Sequence, residues 1–472
     1  MNLNLAKKTQ KPLFLVLSLL AILSILLTSC STPPAATTVA PAAPTSGAAA
    51  QASPTAAAGN AEPLPPISIL INESPWLPGF QALVKKYTET TGNKVNLNVT
   101  PFAGMLDKSR NAVQAPESEF DILTLNEQWY MQFYAGGLVT PLKQIDPNFK
   151  LDPQIIEYEW ATRYDPKLGY SSKNGDLYGL PINGNIMLFF YRKDLFEAQG
   201  LQPPKTWADV EAAAQKFKSK DMAGYVVRAN PPNWEFQAFL DSYGGNLIKL
   251  DEQTGEWSVN INSPEALQAL NTWLKLGRDY GPANYSDNGQ AEMIALMASE
   301  KVPQLVLVCA AAADFDNPEK SKVVGKVGAV PVPGATVGSN ATVTGIWVMS
   351  VPHNLPDNRK KSALAFLNWA MTKDAQTLYA QSGAIPVRQD VYQELGNDPK
   401  LGWWMKAMAD STPYIHTPPR LPETPQIIEV LDRNLKQALI SEITPEQALQ
   451  NMAKEIHKIL TDGGYKVKPL SQ

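Results

Sequence analysis

Short β-rich runs alternate along this chain with stretches of helical period. Ile67 to Ile71 (ISILI) is a continuous apolar run that predicts a strand. NESPWLPG interrupts it, and Phe80, Leu83, Val84 and Tyr87 then recur at the spacing of one helix face. Val95 to Val99 (VNLNV) alternates with period two, which completes a β-α-β unit. Phe120 to Leu125 (FDILTL) predicts a strand that runs into NEQW and a short helix ending at Gly136-Gly137. Further strands are expected at NIMLFFY (Asn185 to Tyr191) and at YVVR (Tyr225 to Arg228), the latter leading into NPPNWEF. KTWADVEAAAQKF predicts a helix with Thr206 as N-cap and Asp209 at the third helical position. This alternation means an α/β fold, and the part of the 472-residue chain that carries it, about 400 residues from Ile67 on, exceeds what a single core usually serves, so two lobes are expected. In open α/β sheets, ligands bind beyond the carboxyl ends of the strands. Asn72, Glu73, Trp76, Asn126, Glu127 and Trp129 would share that rim, with Trp234 in a third such connection. There is no repeat of fixed period and no Gly-rich phosphate loop, so nucleotide binding has no support.

The chain opens differently. Lys7, Lys8 and Lys11 precede a nearly uncharged apolar stretch from Pro12 to Leu27, the order of a secretory signal over residues 1–29. A retained membrane helix would need about 20 apolar residues, more than this run offers before Thr28-Ser29-Cys30. Leu27-Thr28-Ser29-Cys30 resembles the lipobox of bacterial lipoproteins, which implies that the Cys30 sulfur carries a diacylglyceryl group and that Cys30 becomes the mature N-terminus. Several acyl chains together hold a protein on a bilayer stably where one binds only marginally. From Ser31 to Ala61 there is no charged residue, and residues 30–66 are dominated by Ala, Pro and Thr, a composition that cannot build a core. Such a tether spans roughly 30–40 Å and lets a folded part stand clear of the membrane. The expected place is the cell envelope, outside the cytoplasm and lipid-anchored.

Composition narrows the chemistry. The formal net charge is −4 and no run of Lys or Arg longer than three residues occurs, which argues against nucleic acid as a partner. Once Cys30 is lipidated only Cys309 remains, so no internal disulfide can form; within VPQLVLVCAA it reads as a small buried hydrophobe. The three histidines, His353, His416 and His457, lie far apart without cysteine partners, so neither a zinc site of the usual ligand set nor another metal or cofactor is expected.

Three stretches carry a resemblance: FDILTLNEQWYMQFYAGGLVTPL, then LYGLPINGNIMLFFYRKDLFEAQGLQPPKTWADV, then KVGAVPVPG followed by VTGIWVMSV and KSALAFLNWAMTKDAQTLYAQSGAIPVR. In this order they resemble the extracellular solute-binding proteins, family 1, of carbohydrate ABC importers, from about Ile67 to Leu460. The resemblance implies a two-lobed periplasmic-binding-protein-like (type II) fold whose hinge of crossing strands separates an N-terminal lobe (67–184 plus about 345–388) from a C-terminal lobe (185–344 plus about 389–472). It implies a monomer that holds a sugar or oligosaccharide between the lobes and presents it to the transmembrane subunits of an importer. Carried over by position, Asn72, Glu73, Trp76, Asn126 and Glu127 contact the sugar from the N-terminal lobe, Asn183 and Asn185 from the first hinge segment, and Trp234 by stacking from the other lobe. Trp347 falls in the second hinge segment, where Thr344 stands for a usual glycine; Trp129, Arg388 and Arg420 complete the expected set. The residue types suit the chemistry, because a pyranose offers apolar C–H faces to aromatic rings and hydroxyls to Asn, Glu and Arg. The chain also departs from the family: Glu300 replaces a glycine, and Ala310 to Ala313 stand where an aromatic is expected, which loses one stacking plate or moves it to Phe315. Two other classes stay open. A glycoside hydrolase could use Glu73 and Glu127 as its carboxyl pair, and a binder of another solute such as a polyamine could use the same carboxylates and tryptophans.

Overall fold

The computed structural model describes residues 64–251, 253–417 and 420–470. The signal segment, Cys30 and most of the tether lie outside the described residues. Among those described, no helix is long and apolar enough to cross a membrane.

A five-stranded sheet has the order Val95–Thr100, Ile67–Asn72, Ile122–Asn126, Trp347–Ser350, Leu180–Asn183. The first three strands are parallel, and Trp347–Ser350 runs antiparallel to both of its neighbours. Ile67, Ile69, Leu70 and Ile71 are all buried, as a strand covered on both faces requires. The helix Leu77–Thr91 lays Phe80, Leu83 and Tyr87 into this core, with Val84 only half-buried. It stops at Gly92, whose φ of +74° is a left-handed cap that favours glycine.

A second sheet is antiparallel, with Met187–Arg192 between Gln304–Val308 and Val327–Val330. A separate hydrophobic cluster forms on one of its sides, where Trp207 and Phe239 stack with ring centroids 3.7 Å apart and Trp273, Leu435 and Ile456 pack around them. The helix Trp207–Phe217 begins with the expected capping box of Thr206 and Asp209. The chain passes from the first sheet to the second through 184–186 and returns through 344–346. These two segments are tied together by an Ile186–Thr344 bridge and by the Gly345 N–H, which donates to the Asn185 carbonyl at 2.7 Å.

One expected element is absent. Tyr225–Arg228 is buried but joins no ladder. The Tyr225 N–H donates to the Tyr280 carbonyl and the Arg228 N–H to the Glu235 carboxylate, so these groups are satisfied without a neighbouring strand. Glu300, in place of the family's glycine, sits at φ +66°, which explains why glycine suits this position; it forms ion pairs with Arg192 (3.4 Å) and Lys326 (3.1 Å). Phe315 lies fully buried against Phe190, so it does not replace the missing stacking plate.

Candidate functional site

The pairing register sets one rim. Asn72 pairs with Thr100, and Trp347 pairs with both Asn126 and Asn183, so the carboxyl ends of four strands and the amino end of the fifth meet on one edge of the first sheet. Beyond this edge lies a cavity of about 320 Å³, near the lower end of ligand sites, which run from roughly 300 to 1,000 Å³. Asn72, Glu73, Trp76, Asn126, Asn185, Trp234 and Trp347 from the expected set all line it. Phe102, Gln128, Arg228, Gln290 and Ala310 line it as well and were not anticipated. Phe102 opens the helix that follows the strand Val95–Thr100, so the strand-end rule that selected Asn72 and Asn126 applies equally to it.

The apolar part of the wall is aromatic. Trp76 and Trp347 have ring centroids 6.1 Å apart, and Phe102 meets Trp347 edge-on at 6.0 Å. Trp129 backs this group from outside the cavity, 5.2 Å from Phe102 and 6.0 Å from Trp347. Phe102 is 44% exposed, so one side of its ring is open to the cavity and to solvent. Trp234, in the first turn of the helix Asn233–Ser242, carries the Arg228 guanidinium over its ring at 5.0 Å.

The polar part holds buried atoms with no partner among the described residues: Asn72 Oδ1, Ser74 Oγ, Asn126 Nδ2, and Nε and Nη1 of Arg228. Buried polar atoms are seldom left so. Asn126 Oδ1 accepts from the Gln128 N–H, which fixes the amide and leaves Nδ2 as a spare donor. Asn185 Oδ1 is held by the Cys309 thiol at 3.2 Å and the Ala310 N–H at 3.4 Å. Burial pushes the Cys309 thiol up to about 12, so it stays neutral and serves as packing.

The remaining expected residues lie elsewhere. Glu127 is buried in an ion pair with Arg420 (2.9 Å), and both Thr344 Oγ1 (2.8 Å) and the Ile346 N–H (3.3 Å) donate to the same carboxylate. Desolvation raises the Glu127 pKa in spite of Arg420. Glu127 and Arg420 border a neighbouring apolar chamber of about 40 Å³ that shares Gln128 and Trp234 with the cavity. Arg388 is engaged by Asp152 (2.6 Å) and Asp390 (2.8 Å) outside the cavity. Asn183 is fully buried behind the rim, with both amide atoms unpartnered. Because Glu73 lines the cavity and Glu127 does not, the two carboxyls do not face each other across a single site. Wider depressions occur among the described residues, one of about 810 Å³ lined by Gln202, Pro203, Val337 and Tyr414, but it does not bring aromatic rings and unpartnered buried polar atoms together as the rim cavity does.

Residues 72–377 match the model of the bacterial extracellular solute-binding protein family. The chain is 25% identical to a mannitol-binding protein of Pseudomonas aeruginosa over 57% of its own length and 59% of that protein's. It is 21% identical to an erythritol/L-threitol-binding protein of Mycolicibacterium smegmatis over 69% of this chain and 71% of that one. Among solved structures, maltose-bound T. maritima MalE3 superposes with a TM-score of 0.72 at 22% identity, covering 84% of this chain and 99% of the other, and shares its two-lobed fold. Every residue lining the cavity, from Asn72 to Trp347, falls within the matched span, and the chain belongs to the bacterial extracellular solute-binding proteins.

Proposed function

We propose that this protein captures a sugar or polyol in the rim cavity, between a lobe formed by 67–184 and about 345–388 and a lobe formed by 185–344 and about 389–472, and hands it to an ABC importer. The carrying observation is the wall itself: four aromatic residues beside spare buried donors and acceptors on Asn72, Ser74, Asn126 and Arg228. Rings suit C–H faces and the spare atoms suit hydroxyls. The segments 184–186 and 344–346 act as the hinge, and Cys30 anchors the protein to the membrane. Binding without turnover is supported by the placement of Glu127, which spends its carboxylate on Arg420, Thr344 and Ile346. A polyamine is disfavoured by the Arg228 cation in the wall.

A melting-temperature screen of the purified protein against polyols, mono- and disaccharides and polyamines tests the reading. A concentration-dependent rise with a hydroxylated compound and no product formed is expected. A rise with polyamines alone, or release of product from an oligosaccharide, would overturn it. Cys30→Ala is expected to move the protein from the membrane fraction to the soluble fraction with ligand affinity unchanged; continued sedimentation with membranes would refute the anchor.

A further inference from the structure

Arg228 sits in the cavity wall under conditions a cation tolerates poorly. It is 7% exposed, its guanidinium lies over Trp234, and Nε and Nη1 have no partner. A charge so placed is ordinarily paired.

The acids near it are committed elsewhere. Glu235 is fully buried and spends its carboxylate on the Arg228 backbone N–H (2.5 Å), the Trp273 indole N–H (2.9 Å) and the Tyr225 hydroxyl (3.1 Å). Asp432 accepts from the backbone N–H (3.0 Å) and the side-chain amide (2.7 Å) of Asn233. No carboxylate among the described residues lies within ion-pair distance of the Arg228 guanidinium. Burial depresses the Arg228 pKa to about 10, which still leaves it charged at neutral pH, and burial raises Glu235 to about 7, which weakens the negative charge beside it; Asp432 is raised as well. Among the described residues, Glu73 is the only other charged one lining the cavity, and it is exposed, so water screens it. The buried field of the cavity is therefore positive, and its source is a planar group with several donors suited to carboxylate and phosphate oxygens.

We propose that the ligand is an acidic sugar or polyol, a hydroxylated carbon skeleton carrying one carboxylate or phosphate that seats on the Arg228 guanidinium. This rests on the sugar-binding reading above: the rings and amides would hold the hydroxylated skeleton while Arg228 selects the anionic group. Two features point the same way without depending on the ligand's size. The cation is fixed in place by its stacking on Trp234 and by the pinning of its own backbone, so little ordering is left to be done when the anion arrives. Trp234 has one ring face covered by Arg228, so a sugar ring cannot occupy that face, and Trp234 serves there as a support for the arginine.

Calorimetric titration of the purified full chain with matched pairs tests the proposal: gluconate against sorbitol, galacturonate against galactose, and glycerol 3-phosphate against glycerol. In at least one pair the acidic member is expected to bind roughly ten- to a hundredfold more tightly, with an affinity that falls as salt is added. Carboxylate pairs and the phosphate pair separate the two sources of the anion. Arg228→Gln should abolish the preference by weakening the acidic member far more than its neutral partner, whereas Arg228→Lys should retain part of the preference. Neutral members binding as tightly as acidic ones would overturn the proposal while leaving the sugar-binding reading standing, as would an equal loss of both in Arg228→Gln. Binding of neither class would overturn the sugar-binding reading together with it. If Arg228→Gln fails to fold, the wild-type comparison and its salt dependence decide alone.

Discussion

Arg420→Met is expected to destabilise the fold by about 3–5 kcal/mol, because it strands a buried carboxylate. Arg420 and Glu127 are 4% and 6% exposed, and Nη2 of Arg420 lies 2.9 Å from Glu127 Oε2 and 2.6 Å from Thr344 Oγ1. Two charges centred about 4 Å apart attract by about 4 kcal/mol at an effective dielectric of about 20, and the desolvation of both ions offsets much of that gain. Removing one partner keeps the desolvation cost of the other and forfeits the attraction, so a single substitution costs more than the pair contributes. Glu127 retains two donors, Thr344 Oγ1 and the Ile346 N–H, which keeps the loss from exceeding this range. Glu127→Gln alone should cost a similar amount by leaving the Arg420 cation buried, and the double variant should recover most of the deficit. Equilibrium urea unfolding followed by tryptophan fluorescence gives the cycle. Single variants within about 1 kcal/mol of wild type, or a double variant equal to the sum of the singles, would refute the reasoning. Thr344, which stands for a glycine, supplies the hydroxyl that joins this pair to the return segment, so here the departure from the family has a structural use.

Phe102→Ala should lower affinity for the compound that most raises the melting temperature by about 1 kcal/mol or more while leaving unfolding free energy nearly unchanged, because the ring lines the cavity yet is half-exposed; calorimetry on both proteins measures this, and unchanged affinity contradicts it. Gly184→Ala should cost about 1–3 kcal/mol, since an added Cβ collides with the hydroxyls of Tyr158 and Tyr392 and with the Pro386 carbonyl, a backbone atom that cannot swing aside; a denaturation midpoint equal to wild type would contradict the close packing at this crossing. Burial pushes the Glu235 carboxyl up to about 7 from its ordinary 4.5. The unfolded chain therefore loses this proton first as pH rises, the native state binds more protons across that window, and stability falls from about pH 4.5 to about pH 7. Glu235→Gln should remove its part of that slope, leaving contributions of the same sign from Asp241, which is raised to about 8, and from Glu127 and Asp432, which are also raised; parallel stability curves for the two proteins between pH 4.5 and pH 7 would contradict the assignment.

Local patterns carried most of what the fold uses. The ISILI and VNLNV strands, the helix bearing Phe80, Leu83 and Tyr87, and the Thr206–Asp209 capping box all lie where short-range spacing places them, because each is governed by neighbours within a few residues. YVVR fails as a strand because its hydrogen bonds go to Tyr280 and Glu235, and β-propensity registers a fit to an extended buried path but not the presence of a ladder. Asn72 and Asn126 gather at the cavity because the carboxyl ends of parallel strands share an edge, a rule readable before any contact is known, whereas Trp347 begins an antiparallel strand and is expected there only from the family resemblance. Glu127 and Arg420 illustrate what spacing conceals. They stand 293 residues apart, and the type of residue at a strand end does not say whether a carboxylate faces a cavity or an arginine. The same limit hid Arg228, which has no ion-pair partner among the described residues, a fact that only the three-dimensional arrangement shows.

A co-crystal structure with whichever sugar, polyol or acidic derivative most raises the melting temperature tests the central claim most directly. The ligand is expected in the rim cavity, its hydroxyls within hydrogen-bond distance of Asn72 Oδ1 and Asn126 Nδ2 and its carbon skeleton against Trp76, Phe102 or Trp347. Density for the ligand in one of the outer depressions, with Asn72 and Asn126 still unpartnered, would contradict it.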